Sequence, residues 1–148
     1  MIYTAYQIFC LFGYLVIAVL VWNRTGLSPS HYADHYRGNE AMEVYAQTPT
    51  QLLETTHFHL FSYPVFLLIQ GHIFLLTSWG RKSKAAVVLA AFVGCGLYLL
   101  APWLVLGISP GLAWVSTLAR GLLVPSLVLF WVVPLREMWW RRDRSSID

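Results

Sequence analysis

The sequence predicts an all-α membrane protein, with four transmembrane helices in an up-down bundle and a short interfacial helix in the outer loop between helices 1 and 2. Three observations carry that prediction. Hydrophobic residues make up 57% of the 148-residue chain and charged residues only 11%, whereas an average soluble domain is roughly a quarter charged. The apolar residues fall in four continuous runs rather than alternating ones, which excludes a barrel and leaves helices as the spanning element. The basic residues gather on one side of those runs, as the positive-inside rule requires. The pI near 9.0 therefore reflects topology, and no nucleic-acid role follows from it.

The first run, Ile2 to Trp22, has Gln7 as its only strongly polar side chain. It lacks a basic leader and an A-x-A cleavage pattern, and is too long for a signal-peptide core, so it reads as a retained helix. The second run, about Phe58 to Thr77, contains Pro64, Gln70 and His72. The third is Ala85 to Leu106, and the fourth is Leu112 to Leu135 with Arg120 inside it. With flanking residues, helices are expected over about 2–22, 50–78, 85–106 and 112–137, in a single domain spanning 1–148. Ala86, Ala90 and Gly94 recur at intervals of four in the third helix, a pattern that lets backbones approach closely in lipid. Cys10 and Cys95 lie in apolar runs and read as packing residues.

Arg81, Lys82 and Lys84 follow the second run, and Arg136, Arg141, Arg142 and Arg144 follow the fourth. Only Arg24 and Arg37 occupy the connection from Asn23 to His57. This asymmetry predicts a multi-pass protein of the cell inner membrane with both termini cytoplasmic. Trp22, Trp79, Trp103, Trp114, Trp139 and Trp140 fall at run ends, where interfacial aromatic belts belong.

The connection from Asn23 to His57 is long for so small a protein and holds most of the chemistry. Ser28-Pro29 is an N-cap followed by proline at the first helical position, and Gly38 ends that helix after nine residues. Thr48-Pro49 repeats the signal and launches a helix into the second crossing. His31 and His35, four apart, share a helix face. Glu54 and His57, three apart, form a Glu-x-x-His pair of the kind found in carboxylate-bridged metal sites of helix bundles. His31, His35, Glu54 and His57 together make a chemically sensible ligand set for a divalent transition metal. Asp34, Glu40 and Glu43 stand near as a further ligand or as support. The competing expectation is a haem b near the outer face, with His31 or His35 opposite His57 or His59 and Arg120 paired to a propionate. A mid-membrane bis-histidine haem held by this chain alone is excluded by counting, because His72 is the only histidine deep in the bilayer.

Arg120 lies eight residues into the fourth run, about 12 Å below the outer surface at 1.5 Å per residue. A charge at that depth faces the bundle interior, a cavity or a partner. Ser116 sits one turn above it, and Pro125 frees the carbonyl of Gly121 below. His72 lies about 22 Å along the helix from His57, so the two cannot share an ion. With Gln70 it is placed to contact a headgroup near the inner leaflet or a neighbouring helix. No nucleophile–base pair, P-loop, nucleotide fingerprint or HExxH is present.

The functional expectation is a small membrane subunit that binds a metal ion or haem at its outer face within an electron-transfer or respiratory assembly. Its cofactor-contacting residues would be Arg120, His59 and His72. The alternative is a structural subunit, with its outer loop docking a partner and its helix faces covered by lipid and by other membrane subunits.

Overall fold

The computed structural model describes residues 2–140; Arg141, Arg142 and Arg144 of the basic tail lie outside the described residues. The described chain is all-helical. Its helices are α1 (Ile2–Arg24), α2 (Pro29–Arg37), α3 (Pro49–Leu75), α4 (Arg81–Gly107) and α5 (Trp114–Trp140). Single 3₁₀ turns occupy Glu40–Met42 and Pro110–Ala113. Four segments are long and apolar enough to cross a membrane: α1, α3, α4 and α5 with the turn before it.

The helix starts are set locally. Ser28 accepts the amide of His31 at 3.2 Å, with Pro29 opening α2. Thr48 accepts the amide of Gln51 at 3.2 Å, while the Gln51 side chain accepts the amide of Thr48 at 2.9 Å. That reciprocal box satisfies two amides the first turn would otherwise leave free. Gly38 closes α2 at φ 82°, and a Cβ there would lie 2.7 Å from the Ala46 nitrogen. Only glycine fits that corner.

Three boundaries differ from the sequence expectation by three or more residues, one being the end of α5 at Trp140. α4 begins at Arg81, four residues before its apolar run, because solvated Arg81, Lys82 and Lys84 are good helix formers. Lys84 then reaches back to donate to the carbonyls of Leu75 and Thr77 at 2.8 and 2.9 Å, capping the end of α3. α3 itself stops at Leu75, where the chain tightens into bonds from Leu76 to Ile73 and from Thr77 to Phe74. α3 continues unbroken through Pro64.

The core lies among α3, α4 and α5, built on Leu67, Phe74, Ala91, Cys95, Phe130 and Val133. α4 and α5 approach most closely at Gly94, where an added Cβ would meet the Leu123 nitrogen at 2.9 Å and the Ala119 carbonyl at 3.1 Å. Of the expected small-residue stripe, Gly94 is buried and Ala90 half-buried in the bundle, while Ala86 is exposed. Both cysteines are buried and unpaired.

α1 is the outlier, with 11% of its apolar window buried against 28% in each other span. What holds it is polar. Gln7 and Gln70 are sealed from solvent and exchange amide bonds at 3.2 and 3.3 Å. Gln7 also donates to the Phe130 carbonyl at 3.5 Å. That carbonyl is free because Pro134, one turn on, has no N–H to offer it. Trp131 completes the clamp by donating its indole N–H to the Gln7 carbonyl at 3.0 Å. Phe9, Phe12 and Val16 of α1 and Phe58, Phe61 and Leu68 of α3 face outward. So much aliphatic and aromatic surface matches a lipid environment and not an aqueous one.

Candidate functional site

At one end of the bundle α2, the following loop and the Pro110–Ala113 turn form a cap over α4 and α5. Its base is an apolar cluster of Tyr32, Ala101, Val105, Ala113 and Val115. Arg120 ties the cap down. Its Nη1 donates to the Gly26 carbonyl at 2.8 Å, its Nε to the Ser116 carbonyl at 3.2 Å, and its Nη2 to the Ser116 hydroxyl at 3.1 Å. The guanidinium lies 5.8 Å from the centre of the Tyr32 ring. The sequence placed an acceptor below Arg120 at Gly121. The side chain instead turns towards the cap, where the α1–α2 connection supplies a carbonyl that helix geometry leaves free.

Tyr32 and Tyr36, one turn apart on α2, are in contact at 4.9 Å between centroids. Tyr98 of α4 lies close enough to interact with both and with Arg120, and Tyr63 of α3 packs 6.2 Å from Tyr98. This tyrosine cluster is absent from the sequence expectations, although the i, i+4 spacing of Tyr32 and Tyr36 marks one face of α2. Burial pushes the Tyr32 phenol well above its ordinary range, with the neighbouring tyrosines adding to it and Arg120 opposing it. Tyr36 is pushed up to about 12, again chiefly by burial. Both phenols are therefore neutral at physiological pH.

The histidines separate. His31 is exposed, with its ring against Gly26. His35 is half-buried, its Nε2 2.8 Å from the Gln47 amide nitrogen, and burial with nearby Arg24 lowers its basicity. The contact ties α2 to the residue before the N-cap of α3, and burial favours the neutral form of the His35 ring. Glu54 and His57 are exposed on the outward side of α3, His57 edge-on to Phe61 at 5.3 Å. His59 is half-buried and stacks on Tyr63 at 4.5 Å and 17°. His72 is exposed at the far end of α3. Among the described residues no three of His, Cys, Asp and Glu converge on one point. The set His31, His35, Glu54 and His57 is thus split between the cap and the outward face of α3.

Beyond α2 the loop is braced. Asn39 and Val44 exchange backbone bonds at 2.8 and 3.0 Å, and the Gln47 amide donates to the Tyr36 carbonyl at 3.0 Å. Glu43 adopts the left-handed conformation at φ 54°, which costs a non-glycine residue roughly 1–2 kcal/mol. At this turn Tyr45 is 92% exposed and Met42 54%, beside the exposed carboxylates of Glu40 and Glu43.

No curated protein and no solved structure matches the chain. A family model described as a transmembrane helical domain matches residues 26–145, from the connection after α1 onward. The chain is a membrane-embedded protein in contact with the lipid bilayer, and it belongs to the Aq_1264_TM family of transmembrane helical domains.

Proposed function

We propose that this chain is a non-catalytic subunit of a larger membrane assembly. It sits in the inner membrane with both termini cytoplasmic, and its cap is presented at the outer face to an extramembrane partner. The carrying observation is the turn after α2, which is hydrogen-bonded, strained at Glu43 and yet holds Tyr45 almost fully exposed. A rigid aromatic side chain loses little freedom on docking and is a common interface anchor. Glu40 and Glu43 beside it favour a basic protein surface over an anionic lipid one.

The test is the size of the assembly after gentle solubilisation from native membranes. Wild-type chain is expected in a particle larger than itself, and Tyr45→Ala is expected to weaken partner binding about 30-fold, a loss of about 2 kcal/mol. A Glu40→Gln, Glu43→Gln variant should release the partner at lower salt. Recovery of wild-type chain only as a monomer overturns the reading.

A second reading places a transition metal ion or haem b at the outer face, within an electron-transfer or respiratory assembly. One observation favours it: His35 and His59 are half-buried, and burial lowers the basicity of His35, which favours the neutral imidazole that ligates metals. An absorbance spectrum and elemental analysis of protein purified without chelator test it. The absence of both haem bands and stoichiometric metal refutes it.

A further inference from the structure

Basic residues gather at the helix ends away from the cap. Arg81, Lys82 and Lys84 fall in the first turn of α4, and Arg136 lies near the end of α5. The two ends are joined, because Glu137 accepts from the amide and the hydroxyl of Ser78 at 2.9 and 2.6 Å. Glu137 is thus engaged, and so is Lys84, which donates to the carbonyls of Leu75 and Thr77. Arg81, Lys82 and Arg136 stand exposed. Residues 141–148 add three arginines and two aspartates, so the sequence that follows Trp140 is itself net positive.

Tryptophans mark the depth. Trp79, Trp139 and Trp140 are exposed at this end, and exposed tryptophan collects where hydrocarbon meets headgroups. The cations of α4 therefore stand at headgroup level. Lys82, Ala86, Leu89 and Val93 are all exposed and recur at intervals of three or four, so they share one side of the helix. That side runs from a cation at the membrane surface to apolar surface about 10 Å further along the axis at Leu89. Ala86, expected from its spacing to lie in the bundle, is on this outer side, and its short side chain leaves the way from Lys82 to Leu89 open.

Arg81 and Lys84 are three apart, a spacing at which like charges repel, and an anion beside this turn offsets that repulsion. A guanidinium presents paired N–H groups to phosphate oxygens, and an ammonium adds a point charge. A soluble anion uses those two groups alone, whereas a phospholipid also covers the apolar stripe beneath them. We propose that this end of the bundle binds an anionic phospholipid of the surrounding bilayer, with Arg81 and Lys82 on its phosphate and an acyl chain along Ala86, Leu89 and Val93. Such binding needs only the bilayer contact established above, not the partner at the cap.

The experiment uses the full chain in phosphatidylcholine vesicles containing increasing fractions of phosphatidylglycerol with brominated acyl chains. Quenching of tryptophan emission, to which Trp79, Trp139 and Trp140 contribute from this end, is compared with that by brominated phosphatidylcholine. Phosphatidylglycerol is expected to quench at the lower fraction. Arg81→Gln and Lys82→Gln, which keep good helix formers on an exposed turn, should each lower the preference about fivefold, and the double variant should abolish it. Arg37→Gln, at the cap, and inorganic phosphate added at constant ionic strength should leave it unchanged. The proposal is overturned if wild type shows no preference for phosphatidylglycerol, if the double variant keeps it, if Arg37→Gln lowers it as much, or if inorganic phosphate removes it.

Discussion

Replacing both Gln7 and Gln70 by leucine should loosen α1 less than the two single replacements do in sum. The two amides are sealed from solvent and bonded to each other at 3.2 and 3.3 Å, with a third bond from Gln7 to the Phe130 carbonyl at 3.5 Å. Gln7→Leu removes all three and strands the Gln70 amide in an apolar interior. An unsatisfied buried group costs roughly 1–3 kcal/mol. Interhelical bonds in membranes average about 0.6 kcal/mol and reach about 1.7, so a loss of about 1–2 kcal/mol is expected. Gln70→Leu should cost somewhat less, because the Gln7 amide keeps its bond to Phe130. The double leucine variant removes both stranded groups and should recover about 1 kcal/mol of the summed losses. SDS unfolding followed by circular dichroism gives the energies. Trp131, whose indole is bonded to the Gln7 carbonyl, reports by its emission whether α1 stays docked. Additive single losses, with no rescue in the double variant, would refute the clamp.

Arg120→Met should free the cap, since it removes bonds to Gly26 and to Ser116 and the contact with Tyr32. A loss of about 2–3 kcal/mol is expected, seen as faster amide exchange over residues 26–36 with exchange in α4 unchanged. Gly94→Ala should cost about 1–3 kcal/mol because its Cβ would press on the backbone of α5 at Ala119 and Leu123. Gly96→Ala, with nothing within 4 Å, should be neutral or stabilising, so equal effects on the thermal midpoint would be evidence against the close approach. The cap should weaken as pH falls. Burial and Arg24 lower the folded-state basicity of His35, so the unfolded cap binds the proton more readily. The stabilisation is complete above about pH 6.5 and is lost as pH falls from there through the depressed folded value. Amide exchange of α2 between pH 7.5 and 5 measures this, and His35→Gln should flatten it.

The parts of this fold that were legible in the sequence are those decided within a few residues. Ser28-Pro29 and Gly38 bound α2 as read, and Thr48-Pro49 starts α3 as read. Failure came where a face had to be aimed. The spacing of His31 and His35 correctly puts them on one side of α2, but it does not say which side docks. Tyr32 and Tyr36, one position on, form the docked face, and a step of one residue is 100° of rotation. His31 therefore turns to the surface and His35 to the flank. On α3 the inward stripe runs through Leu52, Thr56, His59, Tyr63, Leu67, Gln70 and Phe74, with Thr56 accepting from the Trp103 indole at 2.9 Å. His57 falls one step off it and Glu54 on the other side. Ligand spacing along one helix is a necessary condition for a shared ion, and the roll of each helix, set by its largest apolar and aromatic residues, decides the rest.

The same logic explains where function can reside in so apolar a chain. A polar side chain within the bilayer is costly unless something satisfies it, and along the described spans several deep ones are satisfied by this protein itself, the buried Tyr14 hydroxyl being an exception. Gln7 and Gln70 hold each other, Ser126 bonds the carbonyl of Leu122, and Arg120 holds the cap connection. Each of these fixes one helix against another or bends it, and each is occupied in doing so. Among the described residues, Tyr45 and the carboxylates of Glu40 and Glu43 stand exposed beyond the cap. Recognition of the proposed partner is therefore expected at the cap, with the bundle serving to hold that cap in place.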